Sequence, residues 1–378
     1  MSHQPDAIVI GGGLIGSSVA LRLAQSGLSV SVFDRGEPGA EASSAAAGMI
    51  APQGERVQSR AFMELCWASY GLYPEFVAEV ESLSGQQVGY RRDGSLLVAL
   101  DDDQARELEA DQAGATAEAL GAATAYAPVQ PLPQATSRRV PGLSAEILSA
   151  VFLPADHWVD NERLTAAVIE AARRQGVAFS AHKAVDRFVV NDARVTSIEA
   201  DGERFSAGEF VLAAGAWSGT LARSVGLEIP TLPCRGQMME FELASELSMV
   251  VRAGHHYLVP RAGRRAIAGT TAEYAGFEKS VTAAGLASVL EGTLRLAPFL
   301  ADARLVRTWA GLRPDTPDHL PVLGPSGVAR LTVATGHFRN GILLAPVTAR
   351  LIANLVLKGA ESLQPFRADR FTRQGVVQ

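Results

Sequence analysis

The sequence predicts an α/β (α+β) fold in two parts, a discontinuous doubly wound parallel unit with a mainly antiparallel unit inserted into it. Three observations carry this expectation. A strand–glycine–helix–strand run fills the first residues, strand-then-helix grammar returns between 158 and 219, and longer alternating strands occupy 231–271. Length agrees, because 378 residues exceed one ordinary core and suit two domains sharing an interface. A hydrophobic share of 47% with 20% charged residues excludes whole-chain disorder. The net charge of -6, with no run of lysines or arginines, offers no basic field to a nucleic acid.

Taken in order, Ala7-Ile-Val-Ile10 is a short apolar run that stops at glycine, as a buried parallel strand does. Gly11-Gly-Gly13-Leu14-Ile15-Gly16 follows, and Ser17–Ser26 has helical spacing closed by Gly27. Leu28–Phe33 reads as a second strand with Asp34 at its end. Gly11 allows a tight turn, Gly13 lets the backbone approach a pyrophosphate, and Gly16 lets helix and strand pack closely. The helix start offers unpaired N–H groups to phosphates. Asp34 can accept hydrogen bonds from the adenosine ribose, and its charge repels a 2′-phosphate. A bare GxGxxG is weak evidence, but framed by two strands, a helix and this acid it marks a Rossmann-like dinucleotide-binding domain. Between Ala42 and Gly48 nothing is larger than serine. Such residues let a backbone lie along a large flat cofactor, where the plain alternative is a surface linker.

The leader Met1–Asp6 carries an acid where a signal peptide has basic residues, and glycines interrupt the apolar run Ala7–Ala20. No other window reaches the uninterrupted apolar length that spans a bilayer. The expectation is a cytoplasmic protein with no membrane and no nucleic-acid partner. Cys66 and Cys234 make no metal spacing and read as free thiols of a reducing compartment, so no metal site is expected.

Residues 53–140 change character. Phe62–Leu83 reads as an amphipathic helix, Gly94–Leu100 as a strand, and Asp103–Tyr126 as an alanine-rich helix whose acidic start, Asp101-Asp-Asp103, is a solvated N-terminus rather than a metal cluster. Pro128, Pro131 and Pro133 mark a connection. Trp158-Val-Asp-Asn161 leads into a helix over Arg163–Gln175, and Phe188–Glu199 and Glu209–Ala214 give further strands, closing on Gly215 at a helix start. The strands of 231–271 alternate, as in an antiparallel sheet facing a site on one side. Gly336–Gly341 leads into a last helix over Ile342–Leu355. The expected division is 1–52, 146–222 and 310–378 in the nucleotide-binding domain, with 53–145 and 223–309 in the substrate domain.

Five strings together resemble the glycine oxidases of thiamine biosynthesis, members of the D-amino-acid oxidase superfamily of flavoproteins. They are Ser44-Ala-Ala-Ala-Gly-Met-Ile-Ala-Pro52, Val211-Leu-Ala-Ala-Gly-Ala-Trp-Ser218, His255-His-Tyr-Leu-Val-Pro-Arg261, and Trp309-Ala-Gly-Leu-Arg-Pro314 with Gly336-His-Phe-Arg-Asn-Gly-Ile-Leu-Leu-Ala-Pro346. Only 101–139 is hard to place. The resemblance implies FAD as the cofactor of the Rossmann-like domain. It assigns FAD contact to Gly11, Gly13, Leu14, Ile15, Gly16, Asp34, Arg35, Ala42, Ser43, Ala47, Gly48, Met49, Val185, Gly215, and the run His337, Phe338, Arg339, Asn340, Gly341, Ile342 and Leu343. It also places Tyr257 over the flavin with its hydroxyl towards a substrate carboxylate, and Ala272 where relatives carry a methionine.

Arg313 is the strongest substrate candidate on chemistry alone. A guanidinium in the apolar stretch Gly-Leu-Arg-Pro needs an anionic partner, and its fork matches a carboxylate, although a structural ion pair is the alternative. Arg339 is the second candidate, as carboxylate neighbour or gate. The last helix can present its positive end to the flavin pyrimidine ring.

The reaction this implies is oxidation of the Cα–N bond of glycine or another small amine to the imine, with dioxygen reduced to peroxide. The imine gives glyoxylate and ammonia or feeds thiazole synthesis. No side chain is required as acid or base if the amine binds neutral. The alternatives are a D-amino-acid or sarcosine oxidase, a dehydrogenase of the same fold, or a non-catalytic flavoprotein subunit. The FAD is expected to be non-covalent, because neither cysteine is near Gly336–Pro346 in sequence. A homotetramer is implied by resemblance alone.

Overall fold

The computed structural model describes residues 4–53, 59–114, 130–131, 139–359 and 363–371. Buried runs of β-branched and aromatic residues assemble a six-stranded sheet in the order Val322–Pro325, Leu331–Thr335, Glu209–Leu212, Ala7–Ile10, Val30–Phe33, Ala178–Ser180. All its pairs are parallel except the edge strand Val322–Pro325. Ile10 is in register with both Phe33 and Leu212. The ends of these three strands therefore open side by side at Gly11, Asp34 and Ala213, the crevice where open α/β sheets bind ligands.

One face of this sheet carries four helices, Leu14–Gln25, Arg60–Ser84, Asn161–Arg174 and Gly341–Lys358, in a single apolar core. The other face is covered by a three-stranded antiparallel sheet of Val185–Asn191, Arg194–Ala200 and Glu203–Ser206, through Phe188, Val195 and Ile198. An eight-stranded sheet forms the second unit. Its order is Arg304–Asp315, Leu232–Glu242, Arg265–Gly269, His256–Arg261, Val250–Ala253, Ser95–Ala99, Ser149–Leu153, Gln130–Pro131. It is antiparallel apart from the pairing of Val250–Ala253 with Ser95–Ala99. The mixed α/β fold and the mainly antiparallel second sheet agree with the sequence.

Packing departs from the expected division in two places. The expected division places the helix Arg60–Ser84 in the substrate domain, yet Phe62, Tyr73, Phe76 and Val80 are buried with Val9, Leu14 and Leu344. Its apolar stripe finds its complement on neighbouring helices rather than on the strand that follows it. Ser149–Leu153 and the whole of Arg304–Asp315 belong to the eight-stranded sheet, so divisions at 146 and 310 run through it. The alanine-rich helix is described over Asp102–Gly114, and its expected remainder lies outside the described residues.

The helix Gly341–Lys358 also corrects the reading of hydropathy. Its 18 residues are long and apolar enough to cross a membrane, yet 61% of it is buried inside the fold. Its apolar surface packs mainly on the helices Leu14–Gln25 and Arg60–Ser84.

Candidate active site

At the carboxyl edge of the six-stranded sheet, Gly11 has φ +104°, and a Cβ there would lie 2.3 Å from the Ala213 carbonyl oxygen. A side chain is excluded, so the turn can approach a ligand by its backbone. Asp34 holds this turn. Its Oδ2 accepts from the Gly12 N–H at 2.7 Å and its Oδ1 from the Gly36 N–H at 2.9 Å. Burial pushes its carboxyl up from the ordinary value, against those two donors.

The small-residue segment is a fixed wall rather than a linker. Asn161 Nδ2 donates to the carbonyls of Ser43 and Ser44 at 2.8 and 2.9 Å. The Arg261 guanidinium donates to the Ala47 carbonyl at 3.0 Å and to Asn161 Oδ1 at 2.6 Å. Ser43 Oγ accepts from the Leu14 N–H at 2.9 Å, tying the wall to the start of the first helix. Sequence reasoning missed Asn161 and Arg261. An asparagine opening the helix after Trp158-Val-Asp was the available signal for the first.

Opposite stands the eight-stranded sheet. Register places Trp309, Met238, Gly269, Tyr257 and Arg252 in one row across five strands, with Gly311 opposite Gly236 and Arg313 opposite Cys234. Two glycines make room on this face. A Cβ on Gly236 would lie 2.3 Å from Arg313 Nη2, and one on Gly269 would lie 2.7 Å from the Tyr257 hydroxyl. Arg313 donates to the Thr271 carbonyl at 3.0 Å and to Thr270 Oγ1 at 2.6 Å. Among the described residues no carboxylate forms an ion pair with it. Tyr257 is buried and donates to Met238 Sδ at 3.3 Å. Burial pushes its phenol up, with the Arg313 charge pulling the other way.

The third wall is the segment before the last helix. His337 is buried, its Nε2 is 3.0 Å from Thr348 Oγ1, and burial takes its imidazole down to about 3, so it is neutral. The Phe338 N–H donates to the Pro314 carbonyl at 2.9 Å, which fixes this segment to the residue after Arg313. The Phe338 ring stacks on His319.

These walls enclose one cavity of about 1740 Å³. Of the expected FAD contacts, Gly11, Gly13, Leu14, Ile15, Asp34, Arg35, Ala42, Ser43, Ala47, Gly48, Met49, Val185, Gly215 and the run His337–Ile342 all line it. Two do not. A Cβ on Gly16 would lie 1.9 Å from the Gly11 carbonyl oxygen, so Gly16 serves helix–strand packing. Leu343 is turned into the helix core, two residues round from Gly341. Arg313, Tyr257, Ala272 and Arg339 line the cavity as well, Arg339 as an exposed residue. Sequence reasoning gave no role to Trp217, which lines the cavity under the Arg35 guanidinium, 4.2 Å from its ring centroid.

The fold brings one of the two cysteines to Arg313. Cys234 Sγ lies 4.0 Å from Arg313 Nη1, because strand pairing cancels their separation in sequence. Both thiols are fully buried, and neither lines the cavity.

The residues suit an FAD. A side-chain-free turn, an acid at the second strand end, a helix N-terminus and a wall of small residues surround a space large enough for a dinucleotide. Comparison with known proteins agrees. Residues 6–355 match the family described as "DAO: FAD dependent oxidoreductase". The bifunctional protein ThiO/ThiG of Trichormus variabilis is 36% identical over 377 residues, covering 98% of this chain and 55% of that protein. This chain thus spans about half the length of that relative. The glycine oxidase of Geobacillus kaustophilus is 33% identical over 377 residues, covering 98% of each. A crystal structure of glycine oxidase from Geobacillus kaustophilus superposes with a TM-score of 0.92 at 31% identity, over 98% of this chain and 99% of that one. With the nucleotide crevice, the facing sheet and this family match over nearly all of its length, the chain belongs to the DAO family of FAD-dependent oxidoreductases.

Proposed function

We propose that this protein is an amino-acid oxidase of the glycine oxidase type, acting on glycine or a similarly small amino acid. The Cα–N bond becomes an imine and dioxygen becomes hydrogen peroxide. One observation carries the reading. The Arg313 guanidinium fronts the cavity with neutral acceptors behind it and, among the described residues, no carboxylate paired with it. Such a cation is completed by an anionic ligand, and its planar fork matches a carboxylate.

FAD supplies the two-electron acceptor for the substrate carbon and the means of reducing oxygen. The side chains bind and orient. Arg313 holds the carboxylate, with its own plane fixed by Thr270 and Thr271. The Tyr257 hydroxyl sits on a thioether, a weak acceptor, and a substrate carboxylate is a better one. Burial keeps that phenol protonated and His337 neutral, so neither is poised as a base for the amine. No side chain is required as a base if the substrate binds with its amine neutral. The imine is released to give a 2-oxo acid and ammonia, glyoxylate in the case of glycine. Its alternative use in thiazole formation rests on the resemblance to the glycine oxidases of thiamine biosynthesis. The FAD is non-covalent on this reading, since no cysteine lines the cavity. Flavin that stays with the acid-precipitated chain would contradict that.

Peroxide release by the holoenzyme with glycine, sarcosine, D-alanine and L-alanine tests the proposal. Turnover with glycine or the two other small substrates, and not with L-alanine, is expected. Turnover seen only with an artificial electron acceptor would make the protein a dehydrogenase. No turnover with any of the four would point to a non-catalytic flavoprotein.

A further inference from the structure

The helix Gly341–Lys358 contains Pro346 in its second turn. Proline has no N–H, so the Ile342 carbonyl four residues earlier loses its helical donor. The structure supplies that donor from another helix. The Tyr73 hydroxyl donates to the Ile342 carbonyl at 2.7 Å. One turn earlier in the same helix, the Ser69 hydroxyl donates to the Leu343 carbonyl at 2.6 Å, and the Val347 N–H donates to Ser69 Oγ at 3.3 Å. Ser69 thus bonds both members of the rung formed by Leu343 and Val347. Ser69 and Tyr73 are four residues apart on one face of Arg60–Ser84, and both are fully buried.

These two hydroxyls act on the turn that fronts the cavity, where Gly341 and Ile342 form part of the wall. The Ile342 carbonyl belongs to the same peptide group as the Leu343 N–H. That N–H is among the first-turn donors that point out of the helix start. A hydrogen bond on the carbonyl fixes the plane of the peptide and polarises its N–H. We propose that Ser69 and Tyr73 are positioning residues that splice the last helix at Pro346 and hold its first turn to stabilise negative charge on the flavin. This rests on the reading that the flavin pyrimidine ring faces this helix start. It also gives Leu343 a backbone role, although its side chain is off the cavity.

The test is sulfite titration of the holoenzyme, followed by flavin absorbance, since sulfite addition makes the flavin ring anionic. Tyr73→Phe and Ser69→Ala, compared at full FAD occupancy, should each bind sulfite about fivefold more weakly than the parent, the scale of a helix-end effect. The flavin midpoint potential should fall in parallel. Val80→Ala, a core truncation in the same helix, should lower Tm and leave sulfite affinity alone. Pro346→Ala returns an N–H to the Ile342 carbonyl, so it should restore most of the sulfite affinity lost in Tyr73→Phe. Parental sulfite affinity in both hydroxyl variants, or no rescue by Pro346→Ala, would overturn the inference. A parent enzyme that does not bind sulfite at all would instead overturn the placement of the helix start against the flavin.

Discussion

Arg313 shows how much of a residue's role is set by what surrounds it. Its strand supplies the position, but Gly236 supplies the space, and Thr270 and Thr271 supply the orientation. Arg313→Lys keeps the charge and loses the fork. We expect kcat/KM for glycine to fall about 100-fold with FAD content unchanged, the scale of a lost charge-assisted hydrogen bond. Near-parental kinetics would remove the carboxylate assignment. Ala272 carries a second residue-level expectation. It lines the cavity and is exposed to it, where relatives are expected to bear a bulkier methionine. A methyl group accommodated there contributes roughly 0.8 kcal/mol, about fourfold in affinity. Ala272→Met should therefore lower kcat/KM for D-alanine more than for glycine. Equal losses on the two substrates would show that Ala272 is not in contact with the substrate side chain.

At the scale of elements, the strand end at Asp34 does two tasks. Its carboxylate is available to a ribose, and it also clamps the glycine turn through the Gly12 and Gly36 amides. Asp34→Ala should weaken FAD binding by about 1.5–3 kcal/mol, the range for hydrogen bonds to charged groups. Because those amides lose their acceptor, the apoprotein should also melt at a lower temperature. Unaltered FAD affinity, measured by fluorescence titration of apoprotein, would mean that the strand end does not meet the ribose. The wall 42–49 shows a related dependence. Its composition allows the chain to lie flat, but Asn161 and Arg261 from two distant elements decide where it lies.

The whole molecule links folding to pH through two buried imidazoles. His337 is taken down to about 3, and His157, set between the Tyr70 and Tyr90 hydroxyls, to about 4, both by burial. Their ordinary value is 6.5. Below that pH the unfolded chain binds protons that the folded chain does not, so stability falls as pH falls. The window runs from 6.5 down to about 3 for His337 and about 4 for His157. The slope is roughly 1.4 kcal/mol per pH unit for each group. Urea unfolding at pH 7, 6 and 5 should show this loss, and His337→Gln should make the dependence shallower. Parallel slopes in the two proteins would show that His337 is not held neutral.

The dinucleotide crevice was legible because its parts are contiguous. Strand, glycines, helix and acid fall within Ala7–Asp34, and local geometry alone brings them to one edge. Side-chain chemistry carried Arg313, and the resemblance carried Tyr257 and the last segment, each on a short string of its own. What the sequence could not determine was which distant residues complete them. Gly236 and Arg313 are neighbours only through strand pairing, and Tyr73 reaches Ile342 only because two helices pack. The assignment of Arg60–Ser84 to the wrong unit has the same origin. A helix shows in its periodicity that it has an apolar face, but only the tertiary fold decides which surface buries it. Long-range pairing and complementary packing depend on residues far apart in the chain, and no local pattern encodes that choice.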